Sequence, residues 1–287
     1  MKRRYAVAAT STAVGATLLL SACGGSSETS TENMKLSAGQ ALLKSSQKTA
    51  DADRFKASLT VSDSKEGAKI RASGQFSLQP KLTFSAKLDE FSKGGQAVPG
   101  EKGQAVFTGD TLYAKLPQLA QFVSGGKPWV KVDVAKAGQM GGFDVKTMIE
   151  QVQKINPAEQ TKMFTGSKDV RRVGEESVDG VKTTHYTGTV TVQDALGRLD
   201  GTAREKVRQW FPQDASKEKI SFDLWTDKNQ LPRKLVSKGS GNGESGTVTV
   251  IYSDYGKKFG VNAPPSDQVG ELSLNGLLGG GTHKPGN

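Results

Sequence analysis

Lys69-Ile70-Arg71-Ala72-Ser73-Gly74-Gln75-Phe76-Ser77-Leu78 alternates apolar and polar residues without a break. Ile70, Ala72, Gly74, Phe76 and Leu78 fall on one side, and Lys69, Arg71, Ser73, Gln75 and Ser77 on the other. Gln79-Pro80 follows, and residues 81–89 alternate again: Leu82, Phe84, Ala86 and Leu88 against Lys81, Thr83, Ser85, Lys87 and Asp89. Successive side chains of a strand point to opposite faces, so two period-two runs joined by a tight turn predict an antiparallel hairpin with one apolar and one wet face.

The same pattern extends outward from this hairpin. Residues 55–61 alternate loosely before it. Residues 92–103 are polar and glycine-rich, a long loop. Residues 104–108 and 111–116 flank Gly109-Asp110, and residues 170–177 and 181–192 flank Asp179-Gly180. Both dipeptides suit the positive φ of a two-residue hairpin turn. Residues 117–126 connect onward through Leu119, Phe122 and Val123, and residues 129–134 read as a strand. Residues 220–226, 231–237 and 247–255 are three more, the first pair joined by Asp227-Lys228-Asn229-Gln230.

Helical spacing interrupts the strands. Ser37 with Gln40 spells a capping box, Leu36 and Ala41 fit the staple around it, and a helix to about residue 50 offers Leu42 and Leu43 as contacts. From residue 142 to 155, Val145, Met148, Ile149, Val152 and Ile155 recur at helical intervals. Asn156-Pro157-Ala158-Glu159 then reads as cap, first position and acidic first turn of another helix, with Met163 and Phe164 on its apolar side. Residues 202–211 form a further helical stretch, which Pro212 ends. About ten hairpin-linked strands with interposed helices predict an α+β fold, a large antiparallel sheet with helices on one face. The halves on either side of residues 140–165 look alike in plan, without a fixed repeat.

The N-terminus has a different character. Lys2-Arg3-Arg4 precedes an apolar run to Leu20, and Leu20-Ser21-Ala22-Cys23 follows. A charged start, a short apolar stretch and small residues at a cut are the parts of a secretory signal. The run is shorter than the roughly 20 apolar residues of a spanning helix. Cys23, the only cysteine in the chain, stands just after the cut, an arrangement that resembles the lipobox of bacterial lipoproteins. The resemblance implies cleavage before Cys23, its acylation, and attachment to the membrane. The expected organisation is a signal peptide at 1–22, a flexible tether at 23–35, a folded domain at 36–265 and a disordered tail at 266–287.

Composition sets bounds on partners. The apolar fraction is 35% and glycine is abundant at 34 residues, which suits a sheet wet on one face. Without residues 1–22 the net charge is about +7, a modest basic excess compatible with an anionic membrane surface. Basic and aromatic residues form no dense mixed cluster, so nucleic acid is not expected. With Cys23 acylated, no thiol remains for a disulfide, and packing alone must hold the domain.

Catalytic motifs fail on context. Residues 241–246 fit G-x-G-x-x-G by letters but precede a strand, where dinucleotide binding needs a helix. Ser45–Lys48 and Ser62–Lys65 both spell S-x-x-K, without the accompanying Ser-Asp-Asn and Lys-Thr-Gly elements of penicillin-type enzymes. Two histidines, His185 and His283, give no metal site. His185 reads as a polar residue on a sheet face, and Asp223, Asp227 and Asp254 as solvated residues near strand ends. No catalytic residue, metal or cofactor is expected. What remains is an apolar surface: Ile70, Phe76, Leu78, Leu82, Phe84 and Leu88 on the sheet, and Val145, Met148, Ile149, Val152 and Ile155 on a helix. Either these pack on one another as solid core, or a curved sheet and its helices leave a gap between them that suits lipid.

Several short pieces bear on that choice. They are Trp129-Val130-Lys131-Val132, residues 178–188 around Asp179-Gly180, Leu224-Trp225-Thr226-Asp227 with Leu231-Pro232-Arg233-Lys234, and Tyr252-Ser253-Asp254-Tyr255-Gly256 before Pro264-Pro265. In this order, behind a lipobox, they resemble the actinobacterial lipoproteins of the LppX/LprG type, over about residues 36–265, with the composition of a Streptomyces-type member. The resemblance implies a half-barrel antiparallel sheet akin to LolA and LolB, with helices on its concave face. It implies binding, and shuttling, of lipid or glycolipid in an apolar cavity rather than enzyme activity. The sheet and helix residues named above are then the candidate cavity lining. The expected protein is a monomer held at the extracytoplasmic face of the cell membrane through acylated Cys23. The alternative expectation is a structural or adaptor lipoprotein with a solid core and a protein partner.

Overall fold

The computed structural model describes residues 36–63, 67–98, 102–115, 124–134, 156–208, 214–241 and 244–272, with 117, 120 and 211 as single positions. The signal, Cys23, the tether and the 142–155 helix with Val145, Met148, Ile149 and Val152 lie outside these residues.

Among the described residues, thirteen strands form one open sheet. They are β1 (Arg54–Asp63), β2 (Lys69–Ser77), β3 (Thr83–Lys93), β4 (Gln96–Ala97), β5 (Gln104–Thr108), β6 (Thr111–Lys115), β7 (Trp129–Asp133), β8 (Arg171–Val178), β9 (Val181–Thr191), β10 (Lys219–Thr226), β11 (Pro232–Gly241), β12 (Glu244–Ser253) and β13 (Val269–Glu271). Spatial order runs β13-β7-β6-β5-β3-β2-β1-β12-β11-β10-β9-β8, with β4 beside β3. Two antiparallel meanders, one from each half of the chain, meet where β1 pairs with β12 over eight residues, from Lys56 opposite Ser253 to Asp63 opposite Gly246. The expected alpha-plus-beta class and curved antiparallel sheet are both present.

Turn chemistry sets the hairpins. Gly109 and Asp110, at φ 58° and 61°, join β5 to β6, and Asp179 and Gly180, at 48° and 77°, join β8 to β9. The opening hairpin pairs Phe76 with Phe84 across the turn at Gln79-Pro80. An extra residue, Asp89, bulges out between Leu88 and Glu90, so the alternation changes phase there. The stretch expected as a loop from residue 92 begins later: β3 runs to Lys93, and Gly94-Gly95 return the chain as β4.

Among the described residues, four helices cover one face: α1 (Ala38–Ala50), α2 (Pro157–Phe164), α3 (Val192–Gly197) and α4 (Gly201–Arg208). The capping box of α1 forms, with the Gln40 N–H donating to Ser37 Oγ and the Ser37 N–H to Gln40 Oε1. Leu42 is buried, whereas Leu43, a hundred degrees further round, is 51% exposed and makes no core contact. Asn156 caps α2 through the Ala158 N–H at 3.0 Å. The short helix α3 was not legible, although Thr191 and Asp194 form its cap.

The core is the interface between these helices and the sheet. Phe164 of α2 stacks on Phe222 of β10 at 4.3 Å between centroids. Gly188 on β9 makes room for this: a Cβ there would lie 2.9 Å from the Phe222 ring and 2.8 Å from Ser167 Oγ. Asp169 pins the segment after α2 to β9, accepting from the Thr189 N–H at 2.7 Å and its hydroxyl at 2.6 Å. The Ser167 hydroxyl also donates to it. Order continues past residue 265: Ser266–Gln268 make a 3-10 turn, and β13 adds in parallel to β7, with Lys131 and Glu271 paired at 2.7 Å. The alternation that betrays longer strands is not visible in three residues.

On the opposite face, the His185 ring stacks on Trp225 at 4.1 Å. Its Nδ1 lies 2.9 Å from Glu176 and its Nε2 2.9 Å from Asp223. The Trp225 indole N–H donates to Glu176, and Lys234 Nζ sits over the same indole.

Two outcomes are expected. Gly188→Val drives a side chain into the Phe222 ring and should lower unfolding free energy by on the order of 2 kcal/mol in a denaturant titration; an unchanged midpoint would contradict this packing. The hydrogen bonds from Thr189 hold the Asp169 carboxyl at about 2. A depressed folded-state value gives stability that is present above the ordinary carboxylate range, near pH 4, and is lost as pH falls toward about 2. Wild type should therefore exceed Asp169→Asn in stability at about pH 5, with the gap closing on acidification. A gap independent of pH would assign Asp169 no such role.

Candidate functional site

Register brings the apolar side chains of both meanders to one face. Phe107, Phe84, Phe76 and Phe55 stand opposite one another on β5, β3, β2 and β1. Their rings form a ladder, with centroids 5.7, 6.1 and 5.4 Å apart. Tyr252 of β12 meets Phe55 edge-on at 5.9 Å. Beside the ladder runs a row of small residues: Ala114, Ala105, Ala86, Gly74 and Ala57, which ends at Tyr252. Leu88, Ala72, Leu59, Val250, Leu235, Leu224 and Tyr186 make a third row across both meanders.

The helices meet this face at one end of the sheet, where β1 begins and β2 turns into β3. A cavity of about 430 Å³ opens there. Leu78 and Leu82 of the turn, Ala50 at the end of α1, Ala158 of α2, and Ala203 and Val207 of α4 give it apolar walls. Asp53, Glu159 and Asp200 are the charged residues of its described lining. Asp200 caps α4 through the Ala203 N–H at 3.0 Å, and that bond holds its carboxyl below the ordinary range. Burial pushes the Glu159 carboxyl up, against the pull of Lys162. The Tyr252 hydroxyl donates to Gln160 Oε1 at 3.1 Å and ties α2 to the sheet.

The candidate lining residues therefore separate. Leu78 and Leu82 stand in the cavity wall. Phe76 and Phe84 are buried in the aromatic ladder. Leu88 is half-buried on the same face, and Ile70 lies toward the far end, 36% exposed. The wall residues supplied by α4, Ala203 and Val207, escaped sequence reading. The signal was Val207 within the 202–211 helical stretch, but nothing in the sequence places that stretch against the β2–β3 turn.

Both ring nitrogens of His185 face carboxylates rather than a hydroxyl. Among the described residues, no three His, Cys, Asp or Glu side chains converge to hold a metal. Nor is any described helix long and apolar enough to cross a membrane.

No protein-family model matches the chain. An uncharacterised 31.2 kDa protein of Streptomyces griseus is 30% identical over 181 residues, 62% of this chain and 59% of that protein. SCO4650 of Streptomyces coelicolor, a lipoprotein candidate by name, is 29% identical over 170 residues, 59% of this chain and 51% of that protein. The aligned segments thus span between half and three fifths of those relatives. Among solved structures, LprF of Mycobacterium bovis aligns over 79% of this chain and 96% of its own, at TM-score 0.49 and 15% identity. The Mycobacterium tuberculosis lipoprotein LppX aligns over 78% and 98%, at TM-score 0.45 and 14% identity. The chain is similar to these Streptomyces and mycobacterial proteins.

Proposed function

We propose that this chain is a lipoprotein anchored through acylated Cys23 at the outer face of the cell membrane. In this reading it binds the acyl chains of a lipid or glycolipid, and shuttles them, in the cavity between the sheet and its helices. The observation that carries the reading is the cavity itself. Its volume of about 430 Å³ lies within the range of small-molecule sites, and half of its lining residues, Leu78, Leu82 and Val207 among them, are aliphatic. Each methylene buried there contributes about 0.8 kcal/mol, so even half a fatty-acyl chain would bind. The similarity to a Streptomyces lipoprotein candidate supports the anchor. The apolar face alone would serve a solid-cored adaptor equally well; the open space beside Leu78 and Leu82 favours lipid.

Cys23→Ala should move the protein from the membrane fraction to the soluble one. Retention in washed membranes would contradict the anchor. Val207→Trp should fill the cavity and lower uptake of a fluorescent fatty-acyl probe at least about tenfold, with the fold intact by circular dichroism. Undiminished uptake by a folded Val207→Trp variant would place the ligand elsewhere. No uptake by wild type would favour the adaptor reading.

A further inference from the structure

Seven side-chain atoms among the described residues are buried without a hydrogen-bond partner, and five of them belong to four residues at one end of the sheet. Thr226 Oγ1 ends β10. Both amide atoms of Gln230 lie in the β10–β11 turn. Arg233 Nε follows at the start of β11, and the Tyr255 hydroxyl comes just after β12. Thr226 is 1% and Gln230 2% exposed. Buried polar groups in native proteins are nearly always paired, so four such residues side by side call for an occupant.

The turn does not need the Gln230 side chain. Its backbone is closed by the Asp227 N–H to Leu231 and the Gln230 N–H to Asp227, both at 2.9 Å. Asp227 Oδ1 also accepts the N–H groups of Asn229 and Leu231. Exchanging the amide oxygen and nitrogen of Gln230 does not help, because both are unpaired. Arg233 is half-buried and makes no ion pair with any described carboxylate. A guanidinium taken out of water usually has an anion beside it. Asp227 is the acid of this corner, and its Oδ1 is spent on backbone groups. Burial pushes the Tyr255 hydroxyl well up, so it stays protonated and able to donate.

This corner adjoins the cavity. Tyr255 lies 6.3 Å from the Phe55 ring, and the Gly256 N–H bonds to the Arg54 carbonyl, next to Asp53 in the cavity wall. We propose that Thr226, Gln230, Arg233 and Tyr255 form a binding site for an anionic group, a phosphate or a carboxylate, on the ligand whose acyl chain enters the neighbouring cavity. The guanidinium supplies the fixed charge. The Gln230 amide and the two hydroxyls supply further donors, a set matched to an oxyanion. The ligand is then an anionic amphiphile rather than a neutral one, an inference that rests on the lipid-binding reading above.

The test uses the full chain with Cys23→Ser and two kinds of probe. Inorganic phosphate is titrated while the Arg233 Nε–H and Gln230 amide signals are followed by NMR. Fluorescent acyl probes with phosphate, carboxylate or uncharged glycerol heads are bound in parallel. The expected results are saturable shifts of both signals and about tenfold tighter binding of the two charged probes than of the neutral one. Both effects should be lost in Arg233→Gln and weakened in Gln230→Met, which keeps the side-chain length if the first variant does not fold. Saturable shifts without binding of any acyl probe would keep the anion site, assign it a free anion and remove the lipid reading. Equal binding of the three probes with no phosphate shift would overturn the site, leaving ordered water as its occupant, and would keep the lipid reading.

Discussion

The pairing of β1 with β12 is the constraint on which the rest depends. These strands come from opposite ends of the folded chain, and their register fixes which side chains share a face. With Ala57 opposite Tyr252, Leu59 opposite Val250 and Val61 opposite Val248, the apolar sides of both meanders coincide. A slip of one residue would turn one meander's apolar side outward, since side chains alternate with a period of two. The helices would then have half a floor. The ring contact between Phe55 and Tyr252 crosses this same seam and ties it to the aromatic ladder.

The continuous floor explains where space remains. At the β9–β10 side the helices sit closely on the sheet, through Phe164 on Phe222 above Gly188. At the β1–β3 end α1 and α2 arrive as helix ends, by the last turn of α1 and the first turn of α2, while α4 presents one face through Ala203 and Val207. Helix ends carry capping groups and turn residues, which interdigitate less fully than aliphatic stripes. The cavity lies at this junction. The acids around it follow from the same geometry, because Asp200 caps α4 and Glu159 stands in the first turn of α2. The unpaired donors near Arg233 occur at the same end of the sheet, so apolar walls and a cationic corner adjoin.

Most of the fold was legible because its signals are local. The alternation of residues 69–89, the turn dipeptides Gly109-Asp110 and Asp179-Gly180, and the capping residues Ser37 and Asn156 each act within a few residues. What escaped depends on distant partners. β13 is a strand only because β7 offers an edge. The apolar alternation marked Phe76 and Leu78 alike, yet one is buried in the ring ladder and the other lines open space. Which role each takes depends on α4 and the β2–β3 turn meeting in three dimensions. The polar corner was invisible for a related reason: Thr226, Gln230 and Arg233 read as an ordinary turn and strand start, and only their burial makes them unusual.

The central claim is that the space beside Leu78, Leu82 and Val207 holds an acyl chain. Mass spectrometry of organic extracts from the native, Cys23-bearing protein addresses this most directly, after its covalent anchor has been accounted for. The account predicts a stoichiometric, non-covalently bound lipid of defined chain length that denaturation releases. Protein that carries its anchor but yields no released lipid, and that takes none up from labelled membranes, would contradict it.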